Sequence, residues 1–204
     1  MVTVVNDPDL ERCLQAERAA SGADRYDEMW EGTYMMAPMP NDEHQELVTW
    51  LGSIFQLSVG AQGRASVRVG VNVSDRKDGW MQNYRVPDVA VFLKEGQAEN
   101  CDAFWYGGPD LAVEIVSPGD LTWDKLPFYQ QVGVRELLVI DREPWRIVLH
   151  RLQEQRLVVV AEARPDDGTV VESGVLPFTF RLTAGPNRPR LEVIHTTSGE
   201  CWLI

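Results

Sequence analysis

The amino-acid sequence predicts an α/β (α+β) domain built round a mixed β-sheet, and three observations carry that prediction. Residues 65–73 alternate between apolar and polar side chains, residues 111–140 hold a compact strand–helix–strand unit, and the chain after Trp145 reads as a succession of strands. Strict alternation marks a strand with one face buried, because successive side chains of a strand point to opposite faces. A strand–helix–strand crossover in one sheet is right-handed and makes its two strands parallel.

Taken in order, residues 7–31 read as one or two short, very acidic amphipathic helices. Gly32 to Ala37 is a short strand closed by Pro38 and Pro40. Asn41 or Asp42 caps a helix running from Glu43 to Val59, with Leu47, Val48, Leu51, Ile54 and Phe55 as its buried stripe. Gly60 and Gly63 end it. In the strand Ala65 to Val73, the valines at 67, 69, 71 and 73 share one face. Val86 to Leu93 is a second strand and Leu111 to Val116 a third, joined by a loop over 94–110. After the break at Ser117-Pro118-Gly119, Thr122 or Asp124 caps a helix through Gln131, and Pro127 fits only in its first turn. Gly133 stops this helix, and Glu136 to Ile140 is an apolar, fully buried strand parallel to 111–116. Antiparallel strands follow at 146–152, 156–163, 178–182, 191–195 and 201–204.

The composition is that of an ordinary globular chain: 204 residues, 44% hydrophobic and 25% charged. A chain of this length buries enough surface to need no disulfides. Its apolar runs fall short of the roughly 20 residues that a membrane span requires. The start of the chain lacks the basic-then-apolar pattern of a signal peptide. Cys13, Cys101 and Cys201 are far apart and odd in number, so neither a disulfide framework nor a metal motif is read from them. The expectation is a soluble cytoplasmic protein. The net charge of -12 weighs against a broad nucleic-acid footprint. The acids are concentrated early, with 11 Asp and Glu against 3 Arg in residues 1–60, which leaves room for a local basic face later. The organisation expected is an acidic helical arm over 1–24 and a single domain over 25–204.

Two carboxylates stand out. Asp88 opens the apolar strand Val86-Pro-Asp-Val-Ala-Val-Phe-Leu93, and Glu114 lies inside Leu111-Ala-Val-Glu-Ile-Val116. An acid in an apolar strand is costly unless it is paired, hydrogen-bonded or bound to a cation. If the two strands pair, both acids meet, and together they form a hard-oxygen site suited to Mg²⁺ or Mn²⁺. The structural alternative pairs Glu114 with an arginine such as Arg85 and leaves Asp88 as a turn carboxylate. Lys125, one of three lysines, falls in the first turn of the helix after the Glu114 strand, where it can polarise a phosphate or orient a water. A solvated helix-start lysine is its structural alternative. His44 shares a helix face with Leu47, Val48 and Leu51, as a core-edge histidine would. Trp80, Trp105 and Trp123 flank the candidate site and can stack on bases or pack in the core and rim. Ser117 reads as a turn residue, and no nucleophile elbow, phosphate-cradling loop or zinc pattern is present.

These segments, in order, resemble the Uma2 (DUF820) family of restriction-endonuclease-like proteins, which have a PD-(D/E)xK nuclease-like fold. The resemblance rests on Arg85-Val-Pro-Asp-Val-Ala-Val-Phe92, Pro109 to Pro118 with its central Glu114, Lys125-x-x-x-Tyr129, Gly133-Val-Arg-Glu136 and Leu138-Val-Ile-Asp141. Tyr26 to Gly32 and Pro40 to Val48, including His44, resemble the family's opening strand and first helix. The resemblance implies a restriction-endonuclease-like sheet core over 25–204 and a metal-dependent DNA endonuclease. Asp88 and Glu114 are its implied metal ligands, Lys125 the third catalytic residue, His44 an accessory, and Mg²⁺ or Mn²⁺ the cofactor. The position two residues after the second acid is Val116 rather than lysine, so the lysine comes from the following helix, and Pro127 beside it departs from the pattern. The analogy also implies a homodimer acting on DNA. A nuclease fold without catalysis, serving binding or regulation, is the alternative function. The geometry expected of a working site is that the two acidic strands are neighbours and that the Lys125 ammonium lies beside Glu114.

Overall fold

The structure is a computed structural model describing residues 2–5 and 7–204. In chain order the elements are β1 (Thr3–Val4), α1 (Pro8–Ser21), β2 (Glu28–Trp30), β3 (Thr33–Met36), α2 (Asp42–Phe55), β4 (Ala65–Val69), β5 (Val73–Ser74), β6 (Tyr84–Arg85), β7 (Val89–Leu93), β8 (Glu99–Asn100), β9 (Trp105–Tyr106) and β10 (Leu111–Ile115). They continue with α3 (Leu126–Gln131), β11 (Glu136–Arg142), β12 (Trp145–Gln153), β13 (Arg156–Ala163), β14 (Val171–Glu172), β15 (Phe178–Thr183), β16 (Arg190–His195) and β17 (Cys201–Leu203). The strands form three sheets. A six-stranded central sheet has the order β13-β12-β11-β10-β7-β4. A seven-stranded sheet of short strands runs β1-β3-β2-β6-β5-β9-β8, and a four-stranded meander runs β14-β15-β16-β17.

The α+β class read from the sequence is the observed one, and the β10–α3–β11 crossover pairs β10 with β11 in parallel, Glu114 opposite Val139. β10 is fully buried because it lies between β11 and the antiparallel β7 and has both faces covered. On one face Val89, Val91, Leu111, Val113 and Ile115 meet the Leu47–Leu51–Phe55 stripe of α2 and the phenylalanines of β15. On the other, Ala90, Ala112, Leu137 and Val139 meet Phe128 and Tyr129 of α3. Each fully buried leucine of the α2 stripe contributes about 1.5–3 kcal/mol by removal from water.

α2 starts where the capping signal places it. The Asn41 side chain accepts a hydrogen bond from the His44 amide at 3.0 Å, and the helix runs on into a π-turn over Gln56–Gly60. Gly52 lets α2 approach β4, since a Cβ there would lie 2.9 Å from Val69 Cγ2.

Several expectations are corrected. The acidic segment is a single helix, α1, that ends at Ser21 with Gly22 in the left-handed conformation, and the chain then becomes β2. None of the α1 side chains is fully buried; its apolar side meets the fold through Leu14, which packs against the small cluster of Val5, Met29 and Tyr34. Arg18 ties it down, with Nε to Asp27 at 2.6 Å and Nη2 to the Ala37 carbonyl at 3.0 Å. The alternating stretch 65–73 is not one strand. Gly70, at φ +59, turns the chain, so Val67 stays in the central sheet while Val73 crosses to the seven-stranded one, and Val69 is 37% exposed. The 94–110 loop contains β8 and β9. The late strands divide: β12 and β13 extend the central sheet, whereas the last three belong to the meander, where β14 is an added strand. Periodicity shows which face of a strand is buried but not which sheet the strand joins.

Candidate functional site

The site lies at the carboxyl end of β10. The register of β10 with β7 ends at Val113 opposite Val89, and one step further along it brings Glu114 opposite Asp88. Glu114 shares its face of the sheet with Ala112 and is covered by α3. It is 3% exposed. The Tyr129 hydroxyl donates to Glu114 Oε1, and Lys125 Nζ lies 3.1 Å from the same oxygen and 3.3 Å from Oε2. Pro127 falls in the first turn of α3, and a 3-10 turn over Thr122–Lys125 precedes it and aims Lys125 back at the sheet.

Glu28 of β2 completes the cluster. Its Oε1 lies 2.9 Å from Lys125 Nζ and accepts the Val86 amide at 2.8 Å. Its Oε2 accepts from Trp30 Nε1 at 2.7 Å. On the other side, Asp88 Oδ2 accepts the Ile115 amide at 2.7 Å, and Oδ1 accepts from His44 Nε2 at 2.9 Å. The second ring nitrogen of His44 meets Ser117 Oγ at 3.2 Å. Arg142 Nη2 donates to that hydroxyl at 3.1 Å, and its Nη1 donates to Glu43 at 2.8 Å. A chain of partners from Glu43 through Arg142, Ser117 and His44 therefore fixes Asp88 in place.

The electrostatics are out of balance. Three carboxylates, Glu28, Asp88 and Glu114, surround the single ammonium of Lys125. Burial pushes the Glu114 carboxyl up to about 8, Lys125 opposes this, and the charges of Asp88 and Glu28 add to it. Burial alone would lower Lys125, but Glu114, Glu28 and Asp88 outweigh it and hold the ammonium above its ordinary value. The Tyr129 hydroxyl is raised well above its ordinary value by burial and by Glu114. With all three acids ionised the cluster carries surplus negative charge in a buried place; a proton on Glu114 relieves it, and a bound cation would do the same.

The donors fit a hard divalent ion. Both oxygens of Asp88 carry one partner each, and Glu114 Oε2 is contacted by Lys125 alone. A carboxylate has about four lone-pair sites, so acceptor capacity remains on both acids. Among the described residues no group of three or more His, Cys, Asp and Glu is disposed to enclose a metal. Two acids with water and phosphate completing the shell is the ordinary manner of Mg²⁺ binding.

All four residues singled out in the sequence, His44, Asp88, Glu114 and Lys125, meet here. Arg85 does not pair with Glu114. It is stacked 4.2 Å from the Trp30 ring and 4.4 Å from Phe128, and it donates to the Met29 carbonyl. Trp80 and Trp105 are packing residues, stacked on Phe104 and Phe92, whereas Trp123 is 38% exposed beside Arg146. Sequence reasoning missed Glu28, Ser117 and Arg142. The signal for Glu28 was present, as an acid opening the apolar triplet of β2; Ser117 and Arg142 carry none, since a serine before proline and an arginine at a strand end are commonplace.

A cavity of ≈ 290 Å³ opens beside the acids. Its lining holds Glu28, Asp88, Glu114 and Lys125 together with Tyr26, Trp30, Met35, Pro38, Met39 and Pro40, and Trp30 adjoins the acids through its Nε1–H bond to Glu28.

The mixed sheet and its crossover have a nuclease-like fold, with two acids and a lysine gathered at one strand end. The family model for Uma2, described as "Putative restriction endonuclease", matches residues 11–185, and the chain belongs to this family. Among solved structures, the chain is similar to a "putative nuclease belonging to DUF820" from Anabaena variabilis ATCC 29413. The identity is 21%, the TM-score 0.56, and the match covers 72% of this chain and 80% of that one. No curated protein matches the chain.

Proposed function

We propose that the protein is a metal-dependent DNA endonuclease that hydrolyses phosphodiester bonds. The observation that carries this reading is the buried Glu114–Lys125 pair with Asp88 opposite it at a strand end. Asp88 and Glu114 would hold Mg²⁺ or Mn²⁺. When bound, the ion supplies Lewis-acid polarisation of a phosphate and lowers the pKa of a coordinated water. Lys125, already aimed by Glu28 and Glu114, stabilises charge that develops on the phosphate oxygens. Tyr129 and His44 hold the two acids in fixed rotamers, so little reorganisation is needed when substrate binds.

The test is incubation of plasmid and single-stranded DNA with Mg²⁺, Mn²⁺ or EDTA, alongside Glu114→Ala. Cleavage that needs the metal and Glu114 supports the reading; metal-independent cleavage, or none by the parent, removes it. Calorimetric titration with Mn²⁺ gives a second readout, in which Asp88→Ala weakens binding and Lys125→Met does not.

A homodimer with two sites is part of the proposal, as cutting both strands requires. Its support is the outer strand of the central sheet, β13, where Val159 and Val160 are exposed at 56% and 37%. Light scattering at micromolar concentration checks it, and a monomer would leave nicking or single-strand action. A reducing, cytoplasmic setting is supported by three unpaired cysteines. Among the described residues no helix is long and apolar enough to cross a membrane.

A further inference from the structure

The cavity lining is of two chemical kinds, acids with a lysine and aromatic or apolar side chains, and the nuclease reading uses only the first. The acidic part can take a phosphate with its cation. The aromatic and apolar part of the lining is built from Trp30, Tyr26, Met35 and Met39 with two prolines. Its main platform is rigid. The Trp30 ring is backed by the Arg85 guanidinium at 4.2 Å, which Phe128 supports from beyond at 4.4 Å, and its Nε1–H is tied to Glu28 at 2.7 Å. An aromatic platform held by a buried cation and a hydrogen bond is preorganised for stacking.

Duplex DNA is gripped by lysines and arginines that contact its phosphates from the outside. Here Pro38, Met39, Pro40 and Leu121 stand beside the cavity, the protein carries a net charge of -12, and the catalytic acids are recessed. At ≈ 290 Å³ the cavity is at the lower end of the roughly 300–1,000 Å³ typical of small-molecule sites. That is room for one nucleotide unit rather than for a paired one. A base out of its stack offers a π-face to the indole while its phosphate reaches the acids.

We infer that this aromatic and apolar lining is a pocket for the base of one unpaired nucleotide, and that the site acts on single-stranded or locally unpaired DNA in preference to intact duplex. The inference rests on the nuclease reading for the acidic part. Binding of DNA to the aromatic lining is separable from cleavage.

Three fluorescent oligonucleotides test it: a single strand, its perfect duplex, and the duplex with a central unpaired loop. Binding is read by anisotropy in Ca²⁺, cleavage in Mg²⁺ or Mn²⁺. The parent is expected to bind and cut the single strand and the loop at least about tenfold better than the duplex, a difference of about 1.4 kcal/mol. Trp30→Ala and Met39→Glu should each erase that preference. Met39 is 73% exposed, so Met39→Glu keeps the test valid even if Trp30→Ala fails to fold. Trp30→Phe should retain part of the preference. Equal handling of all three DNAs overturns the pocket while leaving the nuclease reading in place, as does a preference that survives both variants. Tight, Trp30-dependent and Met39-sensitive binding of the single strand without cleavage upholds the pocket and overturns the nuclease reading.

Discussion

Glu114 and Glu136 are both buried glutamates on the neighbouring parallel strands β10 and β11, yet their surroundings are opposite in kind. Glu136, at the amino end of β11, is fully satisfied. Arg151 donates to it at 2.7 Å, the Ser173 hydroxyl at 2.6 Å and the Gly174 amide at 2.9 Å. It pins the loop between β14 and β15 to the central sheet, and its single charge is matched by a single arginine. Glu114, at the carboxyl end of β10, shares one lysine with a second glutamate, has an aspartate beside it, and opens on a cavity. Two acids equally buried in strands thus differ in charge balance and in access, and it is these that make Glu114 rather than Glu136 the candidate for chemistry.

The largest effects separate the two. Glu114→Gln should lower cleavage at least about 100-fold, the scale of removing a group that acts on developing charge, while urea denaturation shows stability unchanged at neutral pH and raised above about pH 8, where the ionised carboxylate would repel its neighbours. Glu136→Ala should do the reverse. It strands Ser173 and Gly174 without an acceptor, costing about 2–6 kcal/mol of stability at roughly 1–3 kcal/mol per unsatisfied group, with cleavage per folded molecule retained. If Glu136→Ala destroys activity in a folded sample, the contrast fails.

The next test is pH. With Glu114 pushed up to about 8 from an ordinary 4.5, the folded state holds a proton that the unfolded state releases across that interval. Stability contributed by this group is full below about 4.5 and is lost as pH rises toward about 8. The melting temperature should fall across that range, and the slope should flatten in Glu114→Gln but not in Glu136→Ala. Metal binding displaces the same proton, so Mn²⁺ affinity measured by calorimetry should rise with pH and level off near pH 8.

Smaller effects come from the groups that hold the acids. Tyr129→Phe removes a donor that favours ionised Glu114. The alkaline levelling of Mn²⁺ affinity should move to higher pH, with a stability loss of about 1 kcal/mol. Ser117→Ala breaks the link between Arg142 and His44 and should lower cleavage only a few-fold, about 1 kcal/mol, with the pH profile unmoved. A loss as large as that of Glu114→Gln would make the hydroxyl a direct participant.

Much of the fold was legible. Buried strands at 89–93, 111–115 and 136–142 have apolar cores, broken by Glu114 in the second and flanked by Glu136, Asp141 and Arg142 in the third, and the α2 stripe recurs at helical spacing, so burial and element type follow from local pattern. Asp88, Glu114 and Lys125 stood out because each contradicts, or sits at the edge of, such a pattern. What the pattern lacks is position across the sheet. The break at Gly70, the split of the late strands between two sheets, and the stacking of Arg85 between Trp30 and Phe128 arise from packing between elements distant in sequence.

The sequence by itself determined the class of fold, the parallel β10–α3–β11 crossover, and the two strand acids with the lysine that follows them, because each rests on side-chain periodicity or on the cost of a charge in an apolar run. Only the tertiary structure decided that Glu28 joins them, that three carboxylates share one ammonium, and that aromatic and apolar side chains line the same cavity as the acids. Those facts depend on how β2, β10 and α3 approach one another in space, and electrostatic repulsion and cavity shape are properties of that approach rather than of any segment alone.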